Sequence, residues 1–252
     1  MLAKATLARQ RAYALQRITQ RLLPVTLESG GTHDAWPIMG WAMLARASGT
    51  LDSIMALLAR RRATDAGALN RVLFEHIVTL AWVAIDADEH PREWMRWDRR
   101  QRLKVDNDLR EQGAEALLDP TTRAQFEAQV AEGPLMPDNV AVRAQEADAH
   151  WSVVTHVIQA RPTDARSFRQ MYRAVFRYDS RYVHATVGSI EPFVSHQAAL
   201  SRSSVLTSEI TGDAVTSPFT RAVAVYALGL LLAESIFGLP PLEPLIDDIF
   251  GS

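Results

Sequence analysis

Apolar positions recur at steps of three and four residues along nearly the whole chain, and alternating apolar and polar runs are scarce, so the pattern predicts an all-α protein. The clearest segment is DAGALNRVLFEHIVTLAWVAID, residues 65–86. There Leu69, Val72, Leu73, His76, Ile77, Leu80 and Ala84 fall on one stripe that Val78 and Trp82 widen, as in a central helix. A first helix is expected over residues 2–23, ended by Pro24 with Gly30 and Gly31 in the following loop. A second runs from Trp36 to Arg62, with Gly49 and Thr50 as a point of kinking or splitting. The charge-rich stretch EHPREWMRWDRRQRLKVDNDLREQGAEALL predicts a long outer helix stopped by Pro120, and PTTRAQFEAQVAEG a shorter one.

GPLMPDN, residues 133–139, is the strongest loop signal, with Gly133, Pro134 and Pro137 close together. Beyond it the pattern predicts a helix through VRAQEADAHWSVVTHVIQA, a break at Pro162 with Asp164 as N-cap, and a helix from Ala165 to at least His184. SRSSVLTSEITGDAV is rich in small and β-branched residues and reads as a loop with a short β-hairpin within 204–216, turning at Gly212 and Asp213. An apolar helix from Pro218 to Phe237 and a short amphipathic tail follow. The expected architecture is one domain over residues 1–252, a bundle of about seven to nine helices in which residues 1–34 form a helical extension.

Composition adjusts this picture in a few places. With 252 residues and 48% hydrophobic content the chain can bury a sizeable core, and a formal charge of −2 argues against a generally basic surface while leaving room for a local basic patch. Lys4, Arg9, Arg11, Arg17 and Arg21 interrupt the first turns, so no signal-peptide core is expected there and the expected location is cytoplasmic. The run YALGLLLAESIFGLPPL carries Glu234 and breaks at Gly238 and Pro240, short of the roughly 20 apolar residues of a membrane span. A buried core helix is therefore expected, and no membrane partner. Without cysteine, disulfides, thiolate zinc sites and cysteine nucleophiles are excluded. Glu-x2-His pairs of the di-iron type do not occur, and Glu146-x3-His150 and Asp179-x4-His184 carry little weight, so neither a metal nor another cofactor is expected. Phosphate-cradling glycine loops and nucleophile elbows are missing too.

Two groups of residues could carry chemistry. Arg71 and Glu75 lie one turn apart on the central helix, in a segment apolar enough to be buried. They read either as an internal ion pair, mutual or with a more distant residue, or as part of a polar pocket. His76 beside them reads as a satisfied core histidine. The second group is FRYDSRYVH, residues 176–184. With Tyr172 and Arg173 upstream it sorts into an inward stripe of Tyr172, Val175, Phe176, Asp179 and Val183 and a polar stripe of Arg173, Arg177, Ser180, Arg181 and His184.

Arg177, six residues and His184 resemble the short arginine-to-histidine signature of HEPN ribonucleases, small helical bundles that often act as dimers. The pair has a chemical logic: a histidine titrating near neutrality moves the proton of an RNA 2′-hydroxyl, and an arginine stabilises the charge growing on the phosphate. A broader resemblance, over roughly residues 40 to 240, joins RVLFEHIVTLAWVAID to the spacing Y-x5-Y-x-S-x3-H at Tyr172, Tyr178, Ser180 and His184. It is similar to a bacterial family known as domain of unknown function five-six-seven-seven. The resemblance implies an all-helical fold and a polar site between the Arg71–Glu75 helix and the Ser180–His184 helix, and no established activity. The functional expectation is a HEPN-like, metal-independent endoribonuclease in stress or phage defence, with RNA as partner and a homodimer as assembly. Arg177, His184 and Ser180 are its expected catalytic residues, and Arg71, Glu75, Arg173, Tyr178 and Arg181 its binding residues. The competing expectation is a non-catalytic ligand-binding or interaction module in which these Arg, Glu, Ser and His groups are structural.

Overall fold

The structure, a computed structural model, describes residues 2–22, 35–60, 62–151, 167–177, 179–180, 194–195, 205–206 and 213–250. Among them stand nine helices: α1 (Leu2–Leu22), α2 (Ala35–Ala59), α3 (Ala63–Val83), α4 (His90–Glu111), α5 (Pro120–Ala131), α6 (Val140–His150), α7 (Phe168–Met171), α8 (Asp213–Phe237) and α9 (Glu243–Phe250). α7 runs straight on into a π-helical turn, Tyr172–Arg177. The fold is all-α. The loop expected around Pro24, Gly30 and Gly31 and the break at Pro162 with Asp164 lie outside the described residues.

α3 is central because it is covered on several sides, by α2, α8, α6 and the π-helical turn. Leu73, Ile77 and Leu80 of the expected stripe are buried, and so are Val78 and Trp82. Val72, however, is 37% exposed, and the buried surface extends instead over Ala66, Asn70, Phe74 and Ala81. A single stripe underestimates a helix packed on several faces. α8 is the other core helix, apolar nearly all round, with Phe219 and every residue from Ala222 to Ala233 buried. Gly229 marks its closest approach to α3, where an added Cβ would run into Ile77 Cδ1.

By length and composition alone two helices, Trp36–Ala59 and Pro218–Phe237, could cross a membrane. The expectation that the second is too short for this is thus corrected: the run from Tyr226 belongs to one helix that begins upstream, at Asp213, and ends at Phe237, and α1, α2 and α3 cover its apolar surface. α1 is held onto this core by a buried hydrogen bond between Thr19 Oγ1 and the Tyr226 hydroxyl, 2.5 Å, and burial pushes the Tyr226 phenol up in pKa. From the middle of α1 the Arg11 guanidinium donates to the Ile249 and Phe250 carbonyls (3.1 and 2.7 Å), satisfying two of the orphan C-terminal acceptors of α9.

Several boundaries differ from expectation for local reasons. α2 runs unbroken through Gly49 and Thr50, whose hydroxyl donates back to the Arg46 carbonyl at 3.0 Å. α4 ends at Glu111, well before Pro120, because Gly113 takes φ +69° and lets Ala114 N–H return to the Leu109 carbonyl and Gly113 N–H to that of Arg110. Pro120 instead opens α5, behind an Asp119 cap that accepts from the Thr121 and Thr122 N–H groups. Asp213, expected in a hairpin turn with Gly212, is instead the first residue of α8, and Gly212 lies outside the described residues. The described strand pairing is a two-residue one, Val194–Ser195 (β1) antiparallel to Val205–Leu206 (β2).

α4 packs on the core through Trp94, whereas no residue of α5, which follows it in a hairpin, is buried. The joint of the two is Asp106, fully buried, which accepts from Arg110 Nε (2.7 Å), Arg123 (2.7 Å) and Leu118 N–H (2.9 Å). The Leu118 N–H bond and then the Arg110 guanidinium hold the Asp106 carboxyl down at about 2, against an ordinary 3.8. A carboxyl with a depressed folded pKa contributes stability that is fully present above about pH 4 and is lost as the pH falls through about 2. Asp106→Asn is therefore expected to lower the melting temperature at neutral pH and to flatten its fall between pH 4 and 2. Parallel melting curves of the two proteins with equal acid slopes would contradict this.

Candidate functional site

The residues singled out in the sequence that the structure describes lie where α3 meets the π-helical turn Tyr172–Arg177, or next to it. Ser167 caps α7 by accepting from the Gln170 N–H, and Asp148 of α6 takes the Phe168 and Arg169 N–H groups at 2.6 and 3.0 Å. This second anchor has no local sequence signal, because it comes from a helix 20 residues upstream. The π-helical turn that follows is wider than an α-turn, a form that recurs at functional sites. Its Phe176 ring meets α3 directly: the Arg71 guanidinium sits 4.4 Å from the ring centroid, and Phe74 packs against the ring at a tilt. Tyr172 also stacks on Phe176, centroids 5.2 Å apart.

The inward stripe is arranged as expected as far as it is described. Val175 and Asp179 are buried, and Tyr172 and Phe176 are half-buried. Asp179 is gripped by Arg221 of α8 through two bonds of 2.7 and 3.2 Å. On the polar stripe Arg173 and Arg177 are exposed, and Ser180 is half-buried with its hydroxyl donating to the Phe176 carbonyl. Tyr178, Arg181 and His184 lie outside the described residues.

Arg71 and Glu75 do not pair with each other. Glu75 instead binds Arg143 of α6 at 3.1 Å, an internal ion pair that ties α3 to α6. Arg143 is 1% exposed and also donates to Thr79 Oγ1 at 2.5 Å, leaving its Nε without a hydrogen-bond partner. Burial pulls its guanidinium below the usual range, and Glu75 opposes that shift. Sequence reasoning missed Arg143; the only signal was its place beside the apolar positions Val140, Ala144 and Ala147. His76 departs from expectation too: its buried Nδ1 has no partner, and desolvation, then the nearby Arg46 charge, lowers its pKa.

The Glu75–Arg143 pair gives a stability expectation. Removing Glu75 strands a buried guanidinium, which costs about 3–5 kcal/mol for a fully buried pair. Because the Glu75 side chain is 39% exposed, a cost of about 2–3 kcal/mol is expected for Glu75→Ala. Joint replacement, Glu75→Leu with Arg143→Met, should cost less than the single change. Urea unfolding of the three proteins checks this; a single variant as stable as the parent would contradict it.

Among the described residues no group of three or more His, Asp or Glu side chains is placed to hold a metal ion. Glu146 accepts the Trp82 indole N–H at 2.5 Å. The family model of a family of unknown function, DUF5677, matches residues 38–199, well over half of the chain. The chain belongs to the DUF5677 family. No curated protein and no solved structure matches it. The DUF5677 match takes in all but the first three residues of α2, all of α3 through α7, and every candidate site residue. Outside it lie α1, α8 and α9, including Arg221, the partner of Asp179.

Proposed function

We propose that this DUF5677 chain is a HEPN-like endoribonuclease that works without a metal, with Arg177 and His184 as its central pair. The observation that supports this reading best is the setting of Arg177. It is exposed, it makes no ion pair with a described residue, and the equally exposed Arg173 lies one turn away, so both guanidiniums are available to a phosphate. In the proposed step His184 removes the proton of an RNA 2′-hydroxyl, and the resulting oxygen attacks the neighbouring phosphorus. The bond to the 5′-oxygen breaks, and that oxygen takes a proton from solvent. Arg177 stabilises the charge that builds on the phosphate. The products are a 2′,3′-cyclic phosphate and a free 5′-hydroxyl.

One observation favours the non-catalytic reading: Glu75 and Ser180 are engaged within the protein, by Arg143 and by the Phe176 carbonyl. Ser180 and Glu75 therefore act as supports of the segment in either reading. Incubating the purified protein with mixed cellular RNA, with magnesium and with excess chelator, separates the two. The nuclease reading expects fragmentation in both samples. RNA that stays intact in both, or is cut only with the metal, would overturn it.

A further inference from the structure

The proposed Arg177–His184 pair says nothing of how a substrate strand would lie. Three exposed arginines follow one another at four-residue spacing, Arg169 in α7 and Arg173 and Arg177 in the π-helical turn. Residues four apart fall on nearly the same side of a helix, so the three arginines make one row of exposed residues along the segment. None of the three pairs with a described carboxylate, and Asp148 of α6 accepts from the Phe168 and Arg169 N–H groups at the start of α7. Beside this line runs an aromatic stack: the Arg71 guanidinium over Phe176 at 4.4 Å, and Tyr172 stacked on Phe176 with an interplanar angle of 19°. Tyr172 is half-buried, so part of its ring is open to solvent.

A single line of cations flanked by an aromatic ring suits one nucleic-acid backbone with unstacked bases, since each phosphate meets a guanidinium and a base finds a ring to stack on. A duplex offers neither, because its bases are already stacked and its phosphates lie in two rows across a groove. We infer that α7 and its π-helical turn form a docking track for single-stranded RNA, with Arg169 and Arg173 holding phosphates and Tyr172 stacking on a base. This inference rests on the nuclease reading for the choice of RNA, and it adds Arg169 and Tyr172 as positioning residues that select single strands over duplex.

Its test measures binding apart from cleavage. A fluorescent 2′-O-methyl RNA oligonucleotide, which lacks the attacking hydroxyl, is titrated with the full chain as a single strand and as a duplex. The single strand should bind at least tenfold tighter. Three phosphate contacts predict that log K falls against log salt with a slope of about −2, and Arg173→Gln or Arg169→Gln should each make it shallower by about 0.7. Tyr172→Leu should weaken binding about tenfold, in line with the loss of one stacked base, and Tyr172→Phe should retain it. Thermal melting of Tyr172→Leu separates lost stacking from lost packing, and the two exposed arginine variants test the track where folding is not at stake. Equal affinity for duplex and single strand, or binding indifferent to both arginine changes, would overturn the inference. A parent that binds the probe and never cleaves unmodified RNA would leave the track standing and remove the nuclease. A parent that cleaves while binding ignores Arg169 and Arg173 would do the reverse.

Discussion

A fragment cut to residues 38–199, the span matched by the DUF5677 family, is expected not to fold cooperatively. It lacks α8, which lies against α1, α2 and α3. At about 1.5–3 kcal/mol for each fully buried side chain, Phe219, Val223, Val225, Leu228, Leu230, Leu231 and Leu232 together contribute as much as the whole net stability of a domain, about 5–15 kcal/mol. The cut also exposes the apolar faces of α2 and α3 and leaves the buried Asp179 carboxylate without the Arg221 guanidinium. Far-UV circular dichroism during urea unfolding checks this. The full chain should give a sigmoidal transition and the fragment a shallow, featureless one; a cooperative fragment would mean that α8 packs on a core able to form without it.

The second large effect concerns activity. Under the nuclease proposal His184→Ala should reduce RNA cleavage by at least about a hundredfold, the lower end of what a general base contributes. Arg177→Lys should fail as well, because an ammonium keeps the charge but loses the planar fork that grips two phosphate oxygens. Arg177 is exposed, so its replacement should leave the melting temperature almost unchanged. Cleavage rates and melting curves for the parent and both variants are the measurements. If the parent does not cut RNA and His184→Ala melts lower, His184 is part of a structural seam and the proposal falls.

Much of the fold was legible because helical burial writes a period into the sequence. Leu73, Ile77 and Leu80 and the apolar α8 are local patterns. The errors arose where a boundary or a partner is decided by something other than period. Gly113 closes α4 through a left-handed turn that competed, in the sequence, with the more conspicuous Pro120. Glu75 finds Arg143 across 68 residues, a pairing that depends on α6 lying against α3 and that spacing along α3 cannot reveal. The site was legible in the same uneven way. Exposure of Arg173 and Arg177 and burial of Asp179 follow from helical phase, whereas the cap from Asp148, the stacking of Arg71 on Phe176 and the bond between Ser180 and the Phe176 carbonyl require the neighbouring helices or the π-helical turn to be in place.

The central claim, that the Arg177–His184 segment cleaves RNA through the RNA's own 2′-hydroxyl, is tested most directly by the ends of the products. A short single-stranded RNA of defined sequence is incubated in chelator with the parent and with His184→Ala, and the fragments are resolved by mass spectrometry. The account predicts fragments ending in a 2′,3′-cyclic phosphate from the parent and intact RNA from the variant. Intact RNA from both proteins, or fragments ending in a 3′-hydroxyl and a 5′-phosphate, would contradict it.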